Sequence, residues 1–308
     1  MTVRISRRTL LGATAIASLA FPAASVAAKG SITIATSIPL LQDIVANIAG
    51  DHAEVFSIMP PTADPHTWEA APEDMVRLSE SDAFIFFGAD LEPFVETGGW
   101  RGTVQDGDIP ELEVSTHVEL RELNQAAEDD GHGHDEHASD PHFWLDPLTL
   151  VQAIPAIAAF LAEMDAGNAD TYLANGESYV AKLEDLNAEL EASFGEIPEN
   201  RRKMLVLHDA WRYFADRYDF EIIGVVMSNP DSEVSALNVV DLLKVVEDSG
   251  VAVIFSEPQL QVNELEVLAA EGDVEIAVLL TDSFIDGVES YIELMQFNRD
   301  QLVTHLGN

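Results

Sequence analysis

The sequence predicts an α/β fold of two lobes, each a (β/α)₄ unit around a four-stranded, mainly parallel sheet, joined by one long backbone helix. Three observations carry that prediction. Short β-branched and apolar runs alternate with helical patterns, the signature of βαβ units. The strand candidates come in two groups of four. Between the groups lies a long stretch with apolar residues three and four apart and no proline.

In the first half the strand candidates are 31–38, 53–59, 83–88 and 111–115, and in the second half 203–207, 221–226, 251–256 and 274–280. The helical stretch is 170–196, with Tyr172, Leu173, Tyr179, Leu183, Leu186, Leu190 and Phe194 on its apolar stripe. Gly176 is its one weak interior point, and Pro198 follows its end. The expected organisation is therefore an N-terminal lobe over 29–168, a linking helix over 169–197 and a C-terminal lobe over 198–308.

Residues 1–28 read as a twin-arginine export signal. Ser6-Arg7-Arg8-Thr9-Leu10-Leu11 opens an apolar stretch over 10–21, and Ser25-Val26-Ala27-Ala28 offers small residues for cleavage. No later segment was expected to approach the ~20 apolar residues of a spanning helix. The expectation is a periplasmic protein, exported with a cleaved signal peptide, monomeric and not lipid-anchored.

Composition narrows the chemistry. Asp and Glu number 55 against 15 Lys and Arg, a formal net charge of −40. Such a surface repels nucleic acid and anionic lipid and concentrates cations. A few carboxylates suffice for one metal site, so most of this charge serves solubility. There is no cysteine, which excludes thiolate metal sites, Fe–S clusters, disulfides and a cysteine-borne lipid. A transition-metal site here must use His, Asp and Glu.

Nine histidines are present. His66 lies just beyond the second strand, His142 beyond the fourth and His208 at the end of the fifth; Asp282 follows the eighth. In parallel sheets, ligands bind beyond the carboxyl ends of strands. Three imidazoles and one carboxylate make a tetrahedral zinc set without thiolate, although spacing alone does not make them converge. Singly, each histidine also reads as a turn or cap residue, and Asp282 as a helix N-cap. His52, His117 and His305 fall in no such context. Trp68, Trp144 and Trp211 flank the candidates and read as packing that dries a cleft. Asp209 and Glu257 are candidates to orient imidazole N–H groups. A charged, His-bearing segment over 128–140 carries His132, His134 and His137, and reads as a flexible acidic loop spanning 118–140 in all.

The motifs Asp64-Pro65-His66-Thr67-Trp68-Glu69, Phe87-Gly88-Ala89-Asp90-Leu91-Glu92, Asp140-Pro141-His142-Phe143-Trp144, His208-Asp209-Ala210-Trp211-Arg212-Tyr213-Phe214 and Thr281-Asp282-Ser283 resemble the zinc and manganese solute-binding proteins of ABC importers. The resemblance runs from about Ser31 to the C-terminus. It implies a metal in the cleft between the two lobes, with His66 and His142 contributed by the first and His208 and Asp282 by the second. It also implies zinc, since manganese-type members tend to place Glu where this chain has His208, and imidazole suits zinc better than hard oxygen does. The partners implied are an ABC permease with its ATPase. The His-rich segment then reads as a weak zinc antenna or a docking patch for a periplasmic zinc donor protein, and otherwise as a tolerated insertion. Competing readings are a manganese or iron receptor of the same fold, a periplasmic His₃-zinc hydrolase or lyase, and a free-standing metal buffer. No His-Glu-x-x-His motif accompanies the histidines, which weighs against an enzyme.

Overall fold

The computed structural model describes residues 31–122, 139–227, 230, 234, 236–260 and 263–307. The expected signal peptide and the loop histidines His132, His134 and His137 lie outside the described residues. Residues from Ser31 onward form one unit. The strands are β1 (Ile32–Thr36), β2 (Ala53–Ser57), β3 (Ala83–Phe86), β4 (Glu111–Glu113), β5 (Lys203–His208), β6 (Glu221–Met227), β7 (Val253–Ser256) and β8 (Glu275–Val278). The helices are α1 (Pro39–Ala49), α2 (Pro72–Ser79), α3 (Gly98–Asp106), α4 (Pro147–Val151), α5 (Ile154–Met164), α6 (Ala169–Gly195), α7 (Arg212–Tyr218), α8 (Ala236–Ser249), α9 (Asn263–Gly272) and α10 (Tyr291–Leu306).

Two parallel four-stranded sheets result, ordered β2-β1-β3-β4 and β6-β5-β7-β8. The second repeats the order of the first. The inner strands are almost wholly buried, Ala-Phe-Ile-Phe in β3 and Met-Leu-Val-Leu-His in β5, as parallel strands covered on both faces must be. In each sheet the chain leaves the first strand in one direction and returns on its other side. The switch in direction therefore falls between β1 and β3 in one lobe and between β5 and β7 in the other, where α/β sheets open a crevice.

Helix α6 has 27 residues, about 40 Å at 1.5 Å per residue. It packs on α1, α4 and α5 of the first lobe and on α10 of the second. One continuous hydrophobic core runs through it, from Ile34 and Ile85 to Val206 and Phe255. Separate smaller cores lie outside each sheet, around Trp100 and around Leu242. The stretch Pro147–Met164 is apolar enough to meet the composition of a membrane span. Here it is broken between α4 and α5, and both pieces lie on α6 as core.

Gly176 reverses its expected role. A Cβ there would stand 2.8 Å from Ala158 Cβ of α5, so the glycine lets two helices approach rather than weakening one. Gly176→Ala is expected to cost about 1–3 kcal/mol through overpacking, against less than about 1 kcal/mol regained in helix propensity. Chemical denaturation measures it; a stabilised variant would show that the helices separate freely.

The Phe87–Glu92 motif is also structural. Gly88, Ala89 and Asp90 all take positive φ, at 82°, 54° and 60°. The Glu92 carboxylate holds the turn, accepting from Phe87 N and Gly88 N at 2.9 Å each and from Ser37 Oγ at 2.6 Å. Burial pushes Glu92 up to about 7 despite these donors.

Candidate metal centre

Each of the three histidines is placed by the end of a strand or a tight turn. After β2 the chain turns on Asp64, whose Oδ1 accepts from His66 N at 3.0 Å and Thr67 Oγ1 at 3.3 Å. The sequence repeats the device at Asp140-Pro141-His142, where Asp140 Oδ1 accepts from His142 N at 3.0 Å. His208 is the last residue of β5, at the switch point. The residue after β7, on the other side of that crevice, is Glu257.

The imidazoles converge. His66 Nε2 is 3.2 Å from His142 Nε2, and His208 Nε2 is 3.4 Å from the same atom. One ring nitrogen from each of the three lies within 4.8 Å of the others. His142 and His208 are buried and His66 is half-buried. Two of the rings are held from behind: His142 Nδ1 lies 2.9 Å from Asp140 Oδ1, and His208 Nδ1 lies 2.6 Å from Glu257 Oε1. A carboxylate accepts only, so Nδ1 carries a proton in both rings; His142 Nε2 is then free to accept, and His208 Nε2 becomes an acceptor once the second proton of that ring is displaced. Lone pairs this close repel unless a proton or a metal cation lies between them. The donor set therefore fits a cation.

Asp282 is fully buried but does not join the circle of 4.8 Å. Its carboxylate accepts from Gln259 Nε2 at 3.3 Å and Thr281 Oγ1 at 3.1 Å. Gln259 Nε2 also donates to Glu257 Oε2 at 3.2 Å, and Glu257 Oε2, at 2.6 Å, competes with Asp282 for the single Thr281 hydroxyl proton. Asp282 precedes no helix directly, so it is not an N-cap. Asp209, in contrast, orients no imidazole. It chelates the Arg212 guanidinium three residues on, with Nε at 2.9 and 3.0 Å, because the first turn of α7 brings them together.

Electrostatics divides the group. Burial and the neighbouring imidazoles of His142 and His208 pull His66 down to about 2, so it is neutral. Burial also pulls His208 downward, but the Glu257 carboxylate outweighs it and His208 is pushed up to about 9. Burial, then the Asp64 and Glu257 carboxylates, push Asp282 well above the usual carboxylate range. Asp64 moves upward from burial too, and its Oδ2 is buried with no hydrogen-bond partner.

Asp140, Asp64, Thr281 and Gln259 carry parts of this arrangement, although the sequence assigned none of them a part in the site. The repeated Asp-Pro-His was the available signal for the first two. Around them Trp144 and Trp211 are buried and Trp68 packs edge-on to Phe94 at 4.7 Å. Trp144 also crosses between lobes, its indole donating to Thr281 O at 2.7 Å.

Comparison with known proteins agrees with this geometry. The manganese-binding lipoprotein MntA of Halalkalibacterium halodurans is 29% identical over 279 residues, covering 89% of this chain and 88% of that protein. The metal ABC transporter substrate-binding lipoprotein FimA of Streptococcus parasanguinis is 28% identical over 295 residues, 91% of this chain and 90% of its own. The high-affinity zinc uptake system protein ZnuA of Bacillus subtilis is 26% identical over 277 residues, 87% of this chain and 86% of its own. The periplasmic zinc binding protein TroA from Treponema pallidum shares the fold, with a TM-score of 0.79 at 24% identity over 91% of this chain and all of that one. These names correct one expectation. MntA and FimA are lipoproteins, held to a membrane by lipid, so a freely diffusing, unanchored protein is not what this family predicts. The absence of cysteine excludes a cysteine-borne lipid and nothing more about attachment. The profile of the family ZnuA, zinc-uptake complex component A periplasmic, matches residues 34–305. This chain belongs to that family, and with it to the metal-binding, substrate-binding proteins of ABC importers.

Proposed function

We propose that the chain captures Zn²⁺ and delivers it to an ABC permease driven by its ATPase, with His66, His142 and His208 as ligands and Asp282 completing the set. The observation that carries this reading is the spacing of the nitrogens. Zn–N bonds of about 2.0–2.1 Å in a tetrahedron put neighbouring nitrogens about 3.3–3.4 Å apart, against 3.2 and 3.4 Å here. Three imidazoles, two of them with Nδ1 tied to a carboxylate, suit zinc, and copper by its higher general affinity. The name of the manganese-binding relative and the buried carboxylates Asp64 and Asp282 favour manganese as a second reading. Metal analysis of the protein from its native compartment, with competition among zinc, manganese and copper, separates these readings. Manganese retained against equimolar zinc would overturn the first. A fourth protein ligand also closes the position a catalytic zinc keeps for water.

The segment carrying His132, His134 and His137 is proposed as a weak antenna, supported by its composition alone. Its base is fixed: Glu122 bridges Ser139 antiparallel, and Asp140 N donates to Arg121 O at 2.9 Å. Deleting 123–138 is expected to leave one tight zinc per chain and to slow loading from scarce zinc. A deletion that also takes Asp140 removes the carboxylate behind His142 and is expected to lose about 10–100-fold in affinity. Calorimetric titration of both variants checks this; equal loss in the two would mean that the segment itself supplies a ligand.

A further inference from the structure

The segment bearing His142 is braced by the opposite lobe. Tyr213 of α7 is almost fully buried, and its hydroxyl stands between the two chains at the base of the His-rich segment. It donates to Asp140 O at 3.1 Å and accepts from Arg121 N at 2.7 Å. Arg121 lies over the Tyr213 ring, 5.5 Å from its centroid, donates to Arg212 O at 3.0 Å and pairs with Asp216 at 2.5 Å. Helix α7 is itself tied to the other ligand strand: Asp209, the residue after His208, chelates Arg212. A second tie lies lower on the same helix, where Arg217 grips Asp146 with two bonds of 2.8 Å. A bonded path thus runs from His142 Nδ1 through Asp140 and Tyr213 to α7, and back through Arg212 and Asp209 to His208.

We propose that Tyr213 is a positioning residue for the metal ion: its hydroxyl holds Asp140, and so the His142 ring, in register with His208 across the two lobes, and thereby sets how long the ion stays bound. Without the hydroxyl, Asp140 O and Arg121 N lose a shared partner at a buried junction. The His142 ring then keeps its Asp140 contact, but Asp140 has lost its direct bond to α7 and is held there only through Arg121. Carboxylates behind ligating imidazoles matter about 10–100-fold for metal affinity, and most changes in affinity appear in the rate of release.

The inference rests on His142 and His208 as ligands, and the test separates the two claims. Zinc-loaded full-length protein is mixed with excess chelator and release is followed in time for the parent, Tyr213→Phe, Tyr218→Phe and His142→Ala. Tyr218 is a control on the same helix, buried, with its hydroxyl on Asn187 Oδ1 at 3.1 Å and off the path. Release from Tyr213→Phe is expected to be about tenfold faster, with Tyr218→Phe at the parent rate even where its thermal stability falls. The Co²⁺ absorption spectrum should change for Tyr213→Phe and not for Tyr218→Phe, because it reports ligand geometry rather than stability. If His142→Ala retains zinc as the parent does, the ligand assignment fails and the brace with it. If retention needs His142 but Tyr213→Phe releases at the parent rate, or Tyr218→Phe accelerates equally, the brace alone is overturned.

Discussion

Replacing His66 by alanine is expected to weaken zinc binding about a hundredfold to a thousandfold without loss of stability in the metal-free protein. One of four ligands carries roughly a quarter of the ~10–16 kcal/mol typical of structural zinc sites. His66 is the clean deletion, since it sits neutral and the two other imidazoles already oppose its protonation. His208→Ala should lose as much affinity and also destabilise the apo fold, by about 3–5 kcal/mol, because it strands the buried Glu257 carboxylate. Asp282→Ala should lose less affinity, since water can take its place, and leaves the stability of the metal-free form little changed. Titration calorimetry and denaturant melts of the apo variants measure both columns of effects. Parent-like affinity in all three histidine variants would remove the assignment.

Zinc affinity is expected to rise about tenfold per pH unit across neutral pH and to level off only near pH 9. The sign follows from His208. Its folded value, about 9, lies above the ordinary imidazole value of 6.5, so its ion pair with Glu257 stabilises the apo protein fully below about 6.5 and is lost as pH rises through about 9. A metal ion must displace that proton, and one proton displaced is worth a factor of ten per unit. Reference imidazole values alone place the loss of affinity below about pH 6.5; the Glu257 carboxylate moves the window upward. Calorimetry in buffers of different ionisation enthalpy should find at least one proton released per zinc at pH 7. None released would mean that His208 is already neutral.

What the sequence made legible follows from burial. Strands covered on both faces must be apolar throughout, so β1, β3 and β5 stood out, and each ends within two residues of its expected limit. The 27-residue helix was legible because one stripe must meet both lobes, and its observed ends, Ala169 and Gly195, each differ by a single residue from the expected 170–196. The places of His66, His142 and His208 beyond strand ends marked them as candidates, and the family resemblance implied that they share one cleft; proximity depends on how two sheets face each other, which no local pattern encodes. The supporting contacts were harder to see. Asp209 looked like a partner for an imidazole, yet a helix start three residues later gave it an arginine. Gly176 looked like a flaw, because its neighbour Ala158 is remote from it in the pattern of a single helix. Residues 118–122 and 139–140 shared the polar character of the segment between them, yet they are pinned by Tyr213 and by each other.

The hydrophobic core that runs unbroken through α6 into both lobes has a consequence for how the protein registers its cargo. The inner faces of both lobes share this one interior, so unfolding either lobe on that side is expected to disrupt the other. The free energy gained when an ion joins ligands from the two halves is then distributed over the whole chain by mass action. Occupancy becomes a global property: a probe on the outer face of α6, far from any imidazole, would sense a loaded protein through its slower opening as faithfully as a probe in the cleft.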